Sequence, residues 1–201
     1  MKGQLRVTRK GLFVHSAQVT IVFSALADAF IDYLRDSLKR FPVIRVGDLQ
    51  LMPSGFEVQE PPRWNKQCSY LCLSPVVLLP PAFQDEEAVR FVSPRTPEFG
   101  GLLSSSTAAQ FLAETGMEWP GYPEVRTAFR PDPGYLDRLD EAGKKYSRVF
   151  QVFDADVGYD VRGYTIPFLL EAPVEVHRFL YDRGLGLVTS KGFGMIDMVQ
   201  S

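Results

Sequence analysis

Apolar positions open the chain in a strand-like rhythm. Leu5 to Val7 and Leu12 to Val14 flank Arg9-Lys10-Gly11, and apolar runs around a basic, glycine-containing step predict a β-hairpin. A further apolar run covers Val19 to Phe23. The period then changes. Leu26, Phe30, Leu34 and Leu38 recur at every fourth position and Phe41 follows three later, with Asp28, Asp32, Arg35, Asp36, Lys39 and Arg40 at other positions. This spacing predicts an amphipathic helix lying on a sheet, capped by Ser24 and ended before Pro42. Val43 to Val46 and Leu49 to Met52 flank Gly47-Asp48 and predict a second hairpin, extended by the alternation at Phe56 and Val58. Glu60-Pro61-Pro62-Arg63 then breaks the pattern and sets a domain boundary, dividing residues 1–62 from 63–201.

Beyond the boundary, Ser69 to Leu79 is an apolar run interrupted by Ser74-Pro75. Pro75 removes a ladder donor and marks a bulge or an edge. After a short segment, Glu87 to Val92, the positions Leu102, Leu103, Ala108, Phe111, Leu112 and Ala113 predict a helix closing near Gly116, followed by a loop to Pro123. Val125 to Phe129 reads as a strand. Asp132-Pro133 reads as the cap and first turn of a helix through Tyr146. Val149 to Phe153 and Asp160 to Leu170 read as strands, and Glu175 to Asp182 as a helix with Gly184 as its left-handed stop. Leu185 to Val199 ends the chain as a glycine-laden turn and a strand. The order strand, helix, strand, strand, helix, strand is that of a ferredoxin-like domain. Before the boundary only part of that unit is visible.

Composition narrows the classes. Of 201 residues, 45% are hydrophobic and 23% charged, which excludes disorder as a whole-chain state. No run approaches the roughly 20 apolar residues of a membrane span. The start, MKGQLRVTRKG, has no apolar core of a signal peptide, so a cytoplasmic protein is expected. With 22 basic and 24 acidic residues the net charge is −2, so any nucleic-acid reading rests on local placement. Cys68 and Cys72 lie in CSYLC. Four apart on a strand, their Cα atoms stand roughly 13 Å apart at about 3.3 Å per residue, beyond disulfide reach. They are expected as buried thiols. With two histidines and no second cysteine pair, neither a metal site nor a cofactor is expected.

The densest signal is near the C-terminus. Gly184-Leu185-Gly186 and Gly192-Phe193-Gly194 are two Gly-apolar-Gly units separated by Leu187-Val188-Thr189-Ser190-Lys191. Glycine lets a backbone approach a ligand closely, and such a loop can offer amides to phosphates. Thr189, Ser190 and Lys191 add hydroxyls and a cation. Tight packing of helix, loop and strand is the competing explanation.

The run RFLYDRGLGLVTSKGFGMIDMV (178–199), with YDVRGYTIPFLLEA (159–172) and YLCLSPVVL (70–78), resembles the CRISPR-associated endoribonuclease family that cuts precursor CRISPR RNA, within the repeat-associated mysterious protein (RAMP) superfamily. Weaker similarity runs back through Phe56 to KGLFVHS (10–16). The resemblance implies an α+β fold of tandem ferredoxin-like (RRM-like) domains, the first incomplete: a leading strand and helix, which in many members carry the catalytic histidine, have no counterpart. A second copy or another segment is expected to complete that sheet. The resemblance also implies metal-independent cleavage, in which a ribose 2′-hydroxyl attacks the adjacent phosphate to leave a 2′,3′-cyclic phosphate and yield mature guide RNA.

Such chemistry needs a base, an acid and positive charge at the phosphate, and histidine suits both proton roles. Only His15 and His177 exist, and both are catalytic candidates. The RNA-binding candidates are Gly184, Gly186, Thr189, Ser190, Lys191, Gly192 and Gly194 in the loop, with Arg178, Arg183, Lys144 and Lys145. CRISPR repeat RNA is the expected partner, and a CRISPR effector complex a possible one. Two alternatives stand beside the enzyme: an inactive repeat-RNA-binding homologue, and a ferredoxin-like oligomerisation or ligand-binding domain.

Overall fold

In the computed structural model, which describes residues 5–8, 11–14, 17–46, 49–80 and 86–199, the N-terminal part consists of two hairpins and a helix. β1 (Leu5–Thr8) pairs antiparallel with β2 (Gly11–Val14), Leu5 opposite Val14. α1 (Asp28–Arg40) follows, and then β3 (Ile44–Val46) pairs with β4 (Leu49–Leu51). The helix starts later than Ser24 predicts: its cap position is Ala27, which makes no side-chain cap bond. Asp28 in its first turn and Lys39 and Arg40 in its last complement the helix dipole. The strand expected through Phe56 and Val58 is irregular chain, and so is the run 19–23. Pro53, Pro61 and Pro62 remove ladder donors along the first of these stretches. From residue 17 to residue 67 every described side chain is exposed or half-buried. The apolar stripe of α1 is real, yet no residue of the helix is buried.

Burial begins at Cys68. The elements that create it are β5 (Gln67–Cys72), β6 (Val76–Val77), α2 (Pro97–Thr115), β7 (Ala128–Pro131), α3 (Pro133–Glu141), β8 (Ser147–Asp154), β9 (Val157–Tyr164), β10 (Phe168–Glu171), α4 (Val174–Arg183) and β11 (Ile196–Met198). β5, β7, β10 and β11 form one antiparallel sheet in the order β11-β5-β10-β7. Taken as strands one to four of a ferredoxin-like unit, these run 4-1-3-2 across the sheet, with α2 and α4 as the two helices. Alternation along β5 and β10 buries Cys68, Tyr70, Phe168 and Leu170, while Leu71, on the other face, stays exposed. Phe99, Leu103 and Phe111 of α2 and Val176, Phe179 and Leu180 of α4 join them in the main core.

A second sheet, β6-β9-β8, stands beside the first. It exists because the predicted strand Asp160–Leu170 is two strands, split at Thr165-Ile166-Pro167, so that β9 can pair away from β10. α3 opens as its sequence predicts, with the Asp132 carboxylate accepting from the Tyr135 N–H at 3.1 Å and Pro133 in the first turn. It ends at Glu141, not Tyr146, because Gly143 takes φ +61° and turns the chain. Both cysteines are free thiols on β5. Burial pushes the Cys72 thiol up to about 11, and its S–H donates to the Ile166 carbonyl at 3.1 Å.

One polar pair lies inside the main core. Tyr70 of β5 and His177 of α4 are both sealed from solvent, their rings stacked with centroids 5.8 Å apart. The Tyr70 hydroxyl lies 2.8 Å from His177 Nδ1, and His177 Nε2 lies 3.4 Å from the Lys66 carbonyl. A neutral ring protonated at Nε2 satisfies both: Nδ1 accepts from the tyrosine and Nε2–H donates to the carbonyl. Burial holds the His177 pKa below the ordinary histidine range. The sign of the consequence follows. Above about pH 6.5 the ring is neutral folded or unfolded; below it the unfolded chain takes up a proton that the folded chain refuses, so stability is lost as pH falls. The urea midpoint is expected to drop between about pH 7.5 and about pH 5.5, one unit either side of the ordinary histidine value. His177→Gln should flatten that slope; equal slopes in the two proteins would contradict the assignment.

Candidate nucleic-acid interface

The glycine-rich turn begins where α4 ends. Gly184 takes φ +94° and ψ 156°, an extended conformation with positive φ, not the left-handed helical stop its position predicts. The chain then runs back along the segment between β5 and β6. Leu187 N–H donates to the Val77 carbonyl at 2.9 Å, and Gly194 N–H to the Pro75 carbonyl at 2.8 Å. Leu185 N–H closes the turn on itself through the Gly194 carbonyl at 2.8 Å. Backbones this close leave no room for a side chain. A Cβ on Gly186 would stand 2.5 Å from the Val77 carbonyl oxygen, and one on Gly194 would strike the Leu185 carbonyl. The structure thus divides the glycine set: Gly184, Gly186 and Gly194 are buried, while Gly192 is exposed with open space around it.

The exposed tip is a 3₁₀ turn, Thr189–Lys191, entered through Val188 at φ +61° and left through Gly192 at φ +84°. Thr189 is half-buried; Ser190 and Lys191 are exposed. Below the tip, Leu187, Val188 and Phe193 cover Val77, Val152 and Val161 of the second sheet, with Phe193 edge-to-face on Phe150 at 5.5 Å. Lys191 Nζ reaches Asp154 Oδ1 at 3.2 Å, so the tip sits at the far end of β8.

The remaining candidates are spread out. Arg183 is largely buried and braces the turn from beneath: its guanidinium donates to Gln110 Oε1 at 3.1 Å and the Gly186 carbonyl at 3.4 Å, and lies 3.5 Å from Glu114. Gln110 completes the brace by donating to the same carbonyl at 3.0 Å. Arg178 is exposed, its guanidinium 5.6 Å from the centre of the Trp64 ring. Lys144 and Lys145 are exposed just ahead of β8, at the end opposite Lys191. An eight-residue strand spans roughly 23 Å at about 3.3 Å per residue, so these lysines and the glycine tip are separate positive sites. His177 lies in the core, and His15 lies outside the described residues. Sequence reasoning missed Trp64, Gln110 and Asp154. Only Trp64 carried a signal, as a large aromatic directly after the proline break. Among the described residues no three His, Cys, Asp or Glu side chains group to hold a metal ion, and no helix is long and apolar enough to cross a membrane.

A 4-1-3-2 antiparallel sheet with α2 and α4 as its crossovers defines the class: a ferredoxin-like domain, here with a glycine turn after its last helix. Residues 58–198 match the family model of the C-terminal part of CRISPR-associated protein Cas6, and the chain belongs to the Cas6 family. Solved structures agree in fold. A Cas6-related protein from Pyrococcus furiosus superposes with TM-score 0.74 at 16% identity, over 98% of this chain and 75% of that one. A RAMP protein described as binding different RNA substrates gives 0.71 at 17% identity, over the same shares, 98% and 75%. A CRISPR-associated protein Cas6 gives 0.64 at 18%, over 88% and 66%. A comparison with curated proteins found no match.

The packing of the turn separates its glycines by experiment. Gly194→Ala adds both positive-φ strain and a clash with backbone, and is expected to cost roughly 2–5 kcal/mol. Gly192→Ala adds strain alone, about 1 kcal/mol. Urea titration reads both, and equal losses would refute the division.

Proposed function

We propose that this chain binds CRISPR repeat RNA at the exposed rim of the glycine turn and cuts it without a metal ion. Membership of the Cas6 family is the observation that carries the reading. The turn supports it locally: packing fixes Gly184, Gly186 and Gly194, and this holds Thr189, Ser190, Lys191 and Gly192 at the surface in a rigid arrangement. Lys191 and the hydroxyls beside it would face a phosphate, with Arg178 on α4 and Lys144 and Lys145 across β8 as further backbone contacts. The chemistry is attack of a ribose 2′-oxygen on the adjacent phosphorus: a base removes the 2′ proton, an acid protonates the departing 5′-oxygen, and a cyclic phosphate remains. With His177 sealed in the core, His15 is the histidine assigned to proton transfer. The product would serve as guide RNA for a CRISPR effector complex.

One observation favours a second reading. The burial of His177 leaves the described surface without an imidazole. A repeat-RNA-binding homologue that holds RNA uncut fits the same rim.

The test is incubation with the host's repeat RNA in EDTA. Cleavage at one phosphodiester with a cyclic phosphate end is expected, and His15→Ala should slow it by about a hundredfold or more while affinity is kept. Tight binding with no cutting by the unaltered chain would transfer the conclusion to the second reading. Lys191→Ala should weaken binding and reduce the slope of log affinity against log salt by about 0.7, one single-strand phosphate contact. Affinity indifferent to salt would remove RNA from both readings.

A further inference from the structure

Among the described residues β8 is the outer strand of its sheet, since the order is β6-β9-β8. It runs eight residues against β9 in unbroken register, Ser147 opposite Tyr164 through to Asp154 opposite Val157. No bulge, proline or internal charge protects it between Val149 and Phe153, where the sequence is VFQVF. Native proteins shield long edges with such devices, because an open row of N–H and C=O groups recruits another strand. One face of β8 is covered by the glycine turn. The other presents Val149 at 45% exposure and Phe153 at 57%, with Gln151 between them.

The strand is also self-complementary in charge. Arg148 stands at one end and Asp154 at the other, both exposed. Laid antiparallel on a second copy with Gln151 facing itself on a two-fold axis, β8 sets Arg148 opposite Asp154, Val149 opposite Phe153 and Phe150 opposite Val152. Every apolar position meets an apolar position and each charge meets its opposite, twice over. An isologous interface requires such self-matching, and directly opposite cross-strand pairs are where it is felt.

We propose that β8 pairs with β8 of a second copy of this chain, making a continuous six-stranded sheet, β6-β9-β8 and its symmetry mate. This strand differs from the N-terminal hairpins, where an added segment was expected, and the pairing does not depend on the RNA reading. Charge argues against RNA on the edge itself: Asp156 and Asp160 are exposed in and just after the β8–β9 turn, and Asp154 already holds Lys191.

Sedimentation of the full chain across micromolar concentrations tests the pairing. A concentration-dependent dimer is expected. Gln151→Lys sets like charges face to face on the axis and should abolish it, as should Arg148→Asp or Asp154→Arg alone. The double exchange R148D/D154R restores opposite pairing and should recover the dimer, which separates loss of the interface from loss of folding. A wild-type monomer throughout, or a dimer indifferent to Gln151→Lys, would overturn the proposal. So would a monomer whose Phe153 cross-links to repeat RNA, since the face would then belong to the nucleic acid.

Discussion

Main chain lies against main chain where the turn after α4 meets the segment joining β5 to β6, and the rest of the domain depends on that contact. Through it the second sheet is tied to the first: Leu187 bonds to Val77 of β6, and Gly194 bonds to Pro75 one step before β11 begins. The same turn covers the apolar face of β8 and β9. Two Gly-apolar-Gly units answer two demands at once. Leu185 and Phe193 are driven inward by hydrophobic burial, while flanking glycines let the backbone on either side come within hydrogen-bond distance of its neighbour. The motif is thus first a packing device. Its ligand-facing part is the short stretch that packing leaves outside.

This ordering explains which parts of the chain could be read from sequence. The C-terminal domain was legible because its elements carry punctuation: Asp132-Pro133 opens α3, Gly116 at φ +75° closes α2, and alternation along β10 shows which side faces the core. The second sheet was not. β6 has two residues, and its partners, Tyr164 and Gly163, lie far along the chain, so no local periodicity announces it. His177 shows the difference between chemistry and place. A histidine beside an arginine attracts a catalytic reading. Yet Val176, His177, Phe179 and Leu180 share the buried face of α4, so the helical period already placed the ring inward. Which partner satisfied it there, Tyr70, is a fact of tertiary packing. Lys144 and Lys145 precede β8 directly in sequence, whereas only the fold brings Lys191 to its other end.

A net charge of −2 reports the whole chain, and several arginines are already matched to carboxylates at the surface. Arg95 bridges Asp137 and Asp140, Arg90 bridges Glu87 and Glu98, and Arg130 meets Glu171. These exposed pairs contribute little to stability. They do remove cations from the field a polyanion would sense. Local arrangement and total charge are then separate quantities, and composition reports only the second.

Arg178 sits where the segment after the proline break meets α4. It rests on Trp64, at the start of the core domain, and its charge opposes the rise in pKa that burial imposes on Asp182. Asp28, in the first turn of α1, adds to that rise, so α1 approaches α4 where two carboxylates repel each other. α1 brings no buried residue to offset this repulsion. Arg178, Asp182 and Asp28 therefore form one electrostatic group at the outer side of α4.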